Sequence, residues 1–268
     1  MRFGRECRNY RQADEKYCRS FHAISRIRIM KPAINWFFML YFCLGALFAE
    51  PVPVKATGVD IKTGEKIFTE TGRSQYRGGY LRSAEIEFKG NDGKVYTRQK
   101  IRVNQFLPAP DYLLEDLRDG HSEGVLHNGT TFEIFFKNNA AAPGEKIRLR
   151  IPTGGIPVVT FPGFANFVLQ HWDALLRGEA VYFYLIVPTQ RDFYRFRVLR
   201  ETLPGLADGD QVHFRIELQN MVLRMFADPI RISFDVRKKR LVQYEGIHFV
   251  RDLPKFLGRK LRVTYQID

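Results

Sequence analysis

Few residues of this chain stand in patterns that chemistry would need. The densest group of titratable side chains is Glu115 and Asp116 followed by Arg118, Asp119, His121 and Glu123. A histidine two residues from a carboxylate, with further carboxylates close by, offers the parts of an acid/base pair for hydrolysis, with His121, Glu123, Asp116 and Asp119 as the polar actors. The same residues also describe a polar turn on an exposed element, since Asp, Ser and Gly are turn formers. His171, between Gln170 and Trp172, is either a proton carrier or a hydrogen-bonded structural histidine. There is no phosphate-cradling glycine loop, no G-x-S-x-G elbow and no HExxH pair, so no catalytic, metal or cofactor site is expected.

One cationic cluster stands out beyond residue 49: Arg237, Lys238, Lys239 and Arg240 in succession. It is a possible contact for an anion such as a lipid phosphate or for a membrane or envelope-protein surface, and equally a charged turn that blocks edge pairing. The chain carries 42 Lys and Arg against 29 Asp and Glu, and residues 1–49 hold nine and three of these, leaving 33 against 26. An excess of seven without an aromatic-interleaved basic stripe argues against nucleic acid as partner.

Residues 33–49 form an apolar run of 17, preceded by Arg26, Arg28 and Lys31 and followed by Glu50-Pro51-Val52-Pro53. That order is the layout of a secretory signal, here residues 30–49 if Met30 is the working start. Residues 1–29 then read as an upstream over-extension, or as a cytoplasmic segment if the run stays in the inner membrane as an anchor. In both cases the chain from Glu50 onward is expected on the periplasmic side. Cys7, Cys18 and Cys43 all precede Glu50, so no disulfide or thiolate chemistry is expected after it.

The elements that must position these residues are mostly strands. Residues 50–78 carry little apolar weight and read as a tether with one short hairpin around Lys62-Thr63-Gly64-Glu65, with order beginning near Tyr80. Residues 79–268 read as a single β-rich domain. Alternating runs at 80–88 and 95–103, joined by Asn91-Asp92-Gly93, predict a hairpin. Further strands are expected at 130–138, 145–151, 181–188, 192–200, 211–219, 229–236, 240–247 and 260–267, while 110–120 fits either a helical turn or an irregular edge strand. Ile230, Ile232 and Phe234 oppose Arg231, Ser233 and Asp235, the habit of antiparallel sheets with one wet face. Only Phe161–Ala180 has helical spacing: Phe161, Phe164, Val168, Trp172 and Leu175 share one face, with Asn166, Gln170, Asp173 and Arg177 between them. Pro162 suits its first turn and Gly178 its exit. The expected fold is mainly β (α+β), a curved antiparallel sheet or half-barrel of nine to eleven strands wrapped around one central helix.

Between a curved sheet and a helix lies the usual place for an apolar cavity. Phe164, Phe167, Trp172, Phe183 and Phe214 are expected to line or border it, with Arg237, Lys238, Lys239 and Arg240 as anionic contacts. The expected ligand is a lipid, acyl chain or other amphiphile. An envelope hydrolase built on His121 and its neighbours, and a scaffold that fills its own core, are the alternatives.

Three segments carry a resemblance: Asp116–Gly124 (DLRDGHSEG), Phe164–Glu179 (FANFVLQHWDALLRGE) and Asp228–Ile247 (DPIRISFDVRKKRLVQYEGI). With the leader and the long meander, they resemble bacterial periplasmic proteins of unknown function with the half-barrel of the outer-membrane lipoprotein carriers. The resemblance implies a half-barrel fold and a greasy concave cavity; it assigns no functional residue.

Overall fold

The computed structural model describes residues 50–202, 209–225, 227–251 and 258–266, all within one unit, Phe48–Asp268. The apolar run, its basic flank and the three cysteines lie outside the described residues. In chain order the strands are β1 (Val52–Asp60), β2 (Lys66–Arg77), β3 (Tyr80–Lys89), β4 (Val95–Arg102), β5 (Asp111–Asp116), β6 (Ser122–Asn128), β7 (Thr131–Lys137), β8 (Glu145–Arg150) and β9 (Val158–Val159). A 3₁₀ turn (Phe161–Gly163) leads into α1 (Phe164–Gln170) and α2 (Trp172–Leu176). β10 (Val181–Val187), β11 (Asp192–Glu201), β12 (Gln211–Leu218), a short α3 (Met221–Arg224), β13 (Ile230–Asp235), β14 (Arg240–Arg251) and β15 (Gly258–Tyr265) complete the chain.

All fifteen strands join one curved open sheet, in the order β8-β7-β6-β5-β4-β3-β2-β1-β15-β14-β13-β12-β11-β10-β9. Neighbours are antiparallel except the short β9, which runs parallel to β10. Alternation along the strands sends one row of side chains inward, among them Phe68, Phe88, Phe214 and Phe234, each at most 1% exposed. Burying a side chain of this size contributes about 1.5–3 kcal/mol. Among the described residues the sheet has two edges, β8 and β9, and side chains tie the two ends of the sheet together. Arg191 donates from Nε and Nη2 to the two carboxylate oxygens of Glu145 at 2.6 and 2.7 Å, and its guanidinium lies 4.9 Å from the Phe136 ring centroid. Phe132 of β7 meets Phe193 of β11 edge to face.

Two expectations about the chain's course are corrected. Residues 50–78 are not a tether: they supply β1 and β2, which pair from Val52↔Ser74 to Val59↔Lys66 and sit mid-sheet. Their inward positions are Val52, Val54, Ala56 and Gly58 on β1 and Phe68, Glu70, Gly72 and Ser74 on β2, of which only the two valines and Phe68 are large and apolar, too few to register as an apolar alternation. The hairpin expected at 62–65 is present, organised by Asp60, whose carboxylate accepts the N–H groups of Lys62 and Thr63 at 2.8 and 3.0 Å. The segment from Asp111 is neither helix nor edge but an interior strand, paired with both β4 and β6.

The helix expected over 161–178 is present but interrupted. At His171 (φ −111°, ψ 17°) the path leaves helical geometry, and its N–H is shared between the carbonyls of Phe167 and Val168. Phe164, Val168, Trp172 and Leu175 are buried as expected, and Gly178 leaves the helix at φ 85°. Asn166, expected on the wet face, is 1% exposed: its Nδ2 donates to the carbonyls of Leu81 and Leu107, and its Oδ1 accepts the Leu81 N–H. This side chain docks the helix on β3 and on the segment before β5. At Gly163 a Cβ would stand 1.9 Å from the Pro108 carbonyl oxygen, so the entry to α1 needs glycine for close approach. Gly163→Ala is expected to cost about 1–3 kcal/mol, as overpacking does, read as a lowered urea midpoint at unchanged slope.

Candidate functional site

A cavity of about 460 Å³ lies between the inner face of the sheet and the helical segment. Strands β1–β4 and β13–β15 form its wall, and Phe161, Pro162, Phe164, Asn166 and Leu169 close it from the helical side. The space exists because small side chains are adjacent on the inner face, with Ala84 of β3 paired to Ser74 of β2. A larger side chain at Ala84 or Ser74 would fill the volume, whereas Phe88, Ile86, Phe234, Ile232 and Leu241 make its surface apolar.

The cavity changes character along its length. At one end the β13–β14 turn brings Lys238, Lys239 and Arg240 to the wall. Lys239 holds the turn with a left-handed φ of 50°, and its ammonium stands 5.4 Å from the Trp172 ring centroid. The Arg240 guanidinium lies 4.0 Å over Tyr76, which fixes a cation beside the apolar space. Toward the other end His248, 3% exposed, is surrounded by Phe68, Phe88, Phe161 and Tyr244 rings. Burial pushes its imidazole down to about 3, so it is neutral, and its Nδ1 accepts the Val250 N–H at 3.2 Å. Burial raises the Tyr244 and Tyr265 phenols, so both stay protonated; the Tyr244 hydroxyl donates to the Ile247 carbonyl. Between the two ends sits Glu70, 4% exposed, whose carboxyl burial pushes up to about 8.

Of the residues expected to form a site, the structure brings some together and not others. Phe164, Lys238, Lys239 and Arg240 line the cavity. Phe167, Trp172, Phe183 and Phe214 stand one ring behind it: Trp172 and Phe214 pack on Phe234 at 5.7 and 6.0 Å, and Phe183 packs on Phe164 at 5.8 Å. Phe167 packs in turn on Phe183. Arg237 points away and pairs with Asp210 on the surface. His171, at the helix break, lies tilted against the Phe167 ring at 4.7 Å; partial burial lowers its pKa. Glu70, Gln99, Tyr244, His248 and Tyr265 were not legible as site residues.

The proposed hydrolytic group does converge, but as a turn. Asp116, 2% exposed, binds Arg118 through both carboxylate oxygens, and Asp119 accepts the His121 N–H at 3.0 Å. His121 Nε2 lies 3.7 Å from Glu123 Oε2, with the two side chains 4% and 11% exposed. Asp116 and Asp119 are occupied within the β5–β6 connection, His121 Nδ1 is buried without a hydrogen-bond partner among the described residues, and the cavity does not extend to any of them. Among the described residues no group of three or more His, Cys, Asp or Glu is placed to hold a metal ion.

Fold and cavity together define the class: a mainly antiparallel, open half-barrel with an internal, mostly apolar space. No protein-family model matches the chain, and no curated protein matches it. Among solved structures it is similar to the crystal structure of a β-barrel-like protein of the domain of unknown function DUF1849 from Brucella abortus, at 8% identity. That match covers 80% of this chain and 96% of the other, with a TM-score of 0.44, and gives no residue of this chain a role.

Proposed function

We propose that this protein is a non-catalytic binding protein for one amphiphile, an acyl chain with an anionic head, held inside the half-barrel in the manner of a periplasmic lipoprotein-carrier-like fold. The observation that carries the proposal is the cavity of about 460 Å³, apolar over most of its wall and flanked at one end by Lys238, Lys239 and Arg240. This volume falls within the roughly 300–1,000 Å³ range of small-molecule sites. A scaffold that fills its own core would lack such a space, and a hydrolase would need its polar groups open to it. Secretion is part of the same proposal, resting on the basic-apolar-proline order of residues 26–53.

The test is native mass spectrometry of protein expressed with its leader and purified from the periplasm, before and after mild denaturation. The expected result is a chain starting near Glu50 with a few hundred daltons lost on unfolding. The bare polypeptide mass, combined with failure to bind added hexadecanoate, would overturn the proposal. Ala84→Trp, which fills the cavity from β3, is expected to abolish uptake. Charge reversal at Lys238, Lys239 and Arg240 to Glu is expected to weaken hexadecanoate binding roughly tenfold at low salt, with the difference shrinking as salt rises.

A further inference from the structure

Glu70 is the group in the cavity wall that an acyl chain alone leaves unexplained. It projects inward from β2, with Ala56 and Phe88 as its register partners on β1 and β3, and it is 4% exposed. Among the described residues its carboxyl makes neither a hydrogen bond nor an ion pair, although buried polar groups nearly always find a partner. The cavity wall it shares also holds Gln99 on β4, Tyr244 and His248 on β14, Tyr76 farther along its own strand, and Tyr265 on β15, which is close enough to feel its charge. Lys55, Lys238, Lys239 and Arg240 are the cations of the lining.

Glu70 stands well away from the cations of the basic turn, and Lys55, whose register partner is Thr71, alternates to the exposed face of β1. Arg240 is anchored over Tyr76, six residues along β2, which at about 3.3 Å per residue is roughly 20 Å of strand. A plain hydrocarbon tail against Glu70 would bury a carboxyl with nothing to bond to, a cost that selection of a different ligand removes.

Building on the binding proposal, we infer that Glu70 is a specificity-determining residue that selects ligands polar at both ends: an anionic head by the basic turn and an uncharged carbonyl oxygen on the inner part of the chain. The protonated carboxyl donates to that oxygen. His248 stays neutral and the two buried tyrosines stay protonated, so among the groups lining the inner part Glu70 is the one that changes charge near pH 8.

The experiment is displacement of a fluorescent fatty acid from delipidated protein by hexadecanoate and by the monomethyl ester of hexadecanedioate, whose inner end is acceptor-only. At pH 6 the ester is expected to bind roughly tenfold more tightly than hexadecanoate, a ratio that falls toward one as pH rises past about 8. Glu70→Gln keeps an N–H donor and should retain the preference without the pH dependence. Glu70→Leu should lose it while binding hexadecanoate at least as well. Equal binding of the two probes by the wild-type protein, or a preference that survives in Glu70→Leu, would overturn the inference and leave the binding proposal intact. Tightest binding of an ω-amino chain above pH 8 would overturn it in favour of a cation site. Failure of every probe, with Ala84→Trp indistinguishable from wild type, would overturn the binding proposal itself and this inference with it.

Discussion

Asn166→Ala is expected to detach the helical segment from the sheet and to lower stability by about 3 kcal/mol or more. Its amide makes three bonds to backbone groups of Leu81 and Leu107, at 2.9–3.0 Å, in a site that is 1% exposed. Removing it strands a buried N–H and two carbonyls, each costing about 1–3 kcal/mol unless water enters. Urea denaturation at fixed pH measures the loss. Asn166→Asp should be nearly as damaging, since a carboxylate keeps the acceptor for the Leu81 N–H but has no N–H for the two carbonyls. A loss under about 1 kcal/mol for both variants would show that helix docking rests on the apolar face alone. Because Asn166 also lines the cavity, hexadecanoate binding should weaken together with stability.

As pH rises from 5 to 9 the delipidated protein is expected to lose stability relative to Glu70→Gln, a difference to which His248, held neutral in both proteins, does not contribute. The Glu70 carboxyl is held at about 8 in the folded chain, against an ordinary value of 4.5. When pH rises through the ordinary value the unfolded chain releases this proton first, while the folded chain keeps it. At this carboxyl the folded state therefore binds more protons across the window, and its contribution to stability falls with rising pH until the folded carboxyl has also ionised above about 8. The full change is on the order of a few kcal/mol. Denaturation midpoints at pH 5, 7 and 9 for wild type and Glu70→Gln isolate it, because other titrating groups are common to both. Equal pH slopes for the two proteins would mean that water or a neighbour reaches the carboxyl and holds its proton affinity near the ordinary value. Bound ligand must be absent, since it stabilises by mass action.

Much of the sheet was legible from alternation. β3, β4, β7, β8 and the run from β10 to β15 lie where period-two patterns stand, and Phe214, Ile232 and Phe234 point inward as their spacing requires. β1 and β2 were not, because most of their inward row is small or polar, Ala56, Gly58, Glu70, Gly72 and Ser74, with Val52, Val54 and Phe68 as its larger apolar side chains. Of the small and polar ones, Glu70 and Ser74 reach the cavity wall, while at Gly58 and Gly72 a Cβ would meet the Phe68 ring and the Glu85 carbonyl oxygen. The helix was legible from its apolar face, but Asn166 was not distinguishable from a solvated residue, since its partners come from β3 and the 104–110 segment. The basic turn was visible as four consecutive cations, and three of them reach the cavity lining. Trp172 and Phe214, chosen for size and face, belong to the packed layer behind Phe234; sequence gives a residue's side of the sheet, not its depth.

The position of β1 also sets the order of events in folding. Ala56 pairs with Tyr265 and Asp60 with Leu261, so the first strand of the sheet completes its ladder only against the last. Until then the meander from β1 to β8 and the one from β9 to β14 each expose a bare strand edge where the other belongs. Closing a contact this distant along the chain is entropically slow, and the exposed edges invite pairing with other chains. The central β1–β15 ladder of this sheet therefore cannot form until residues 258–265 are available.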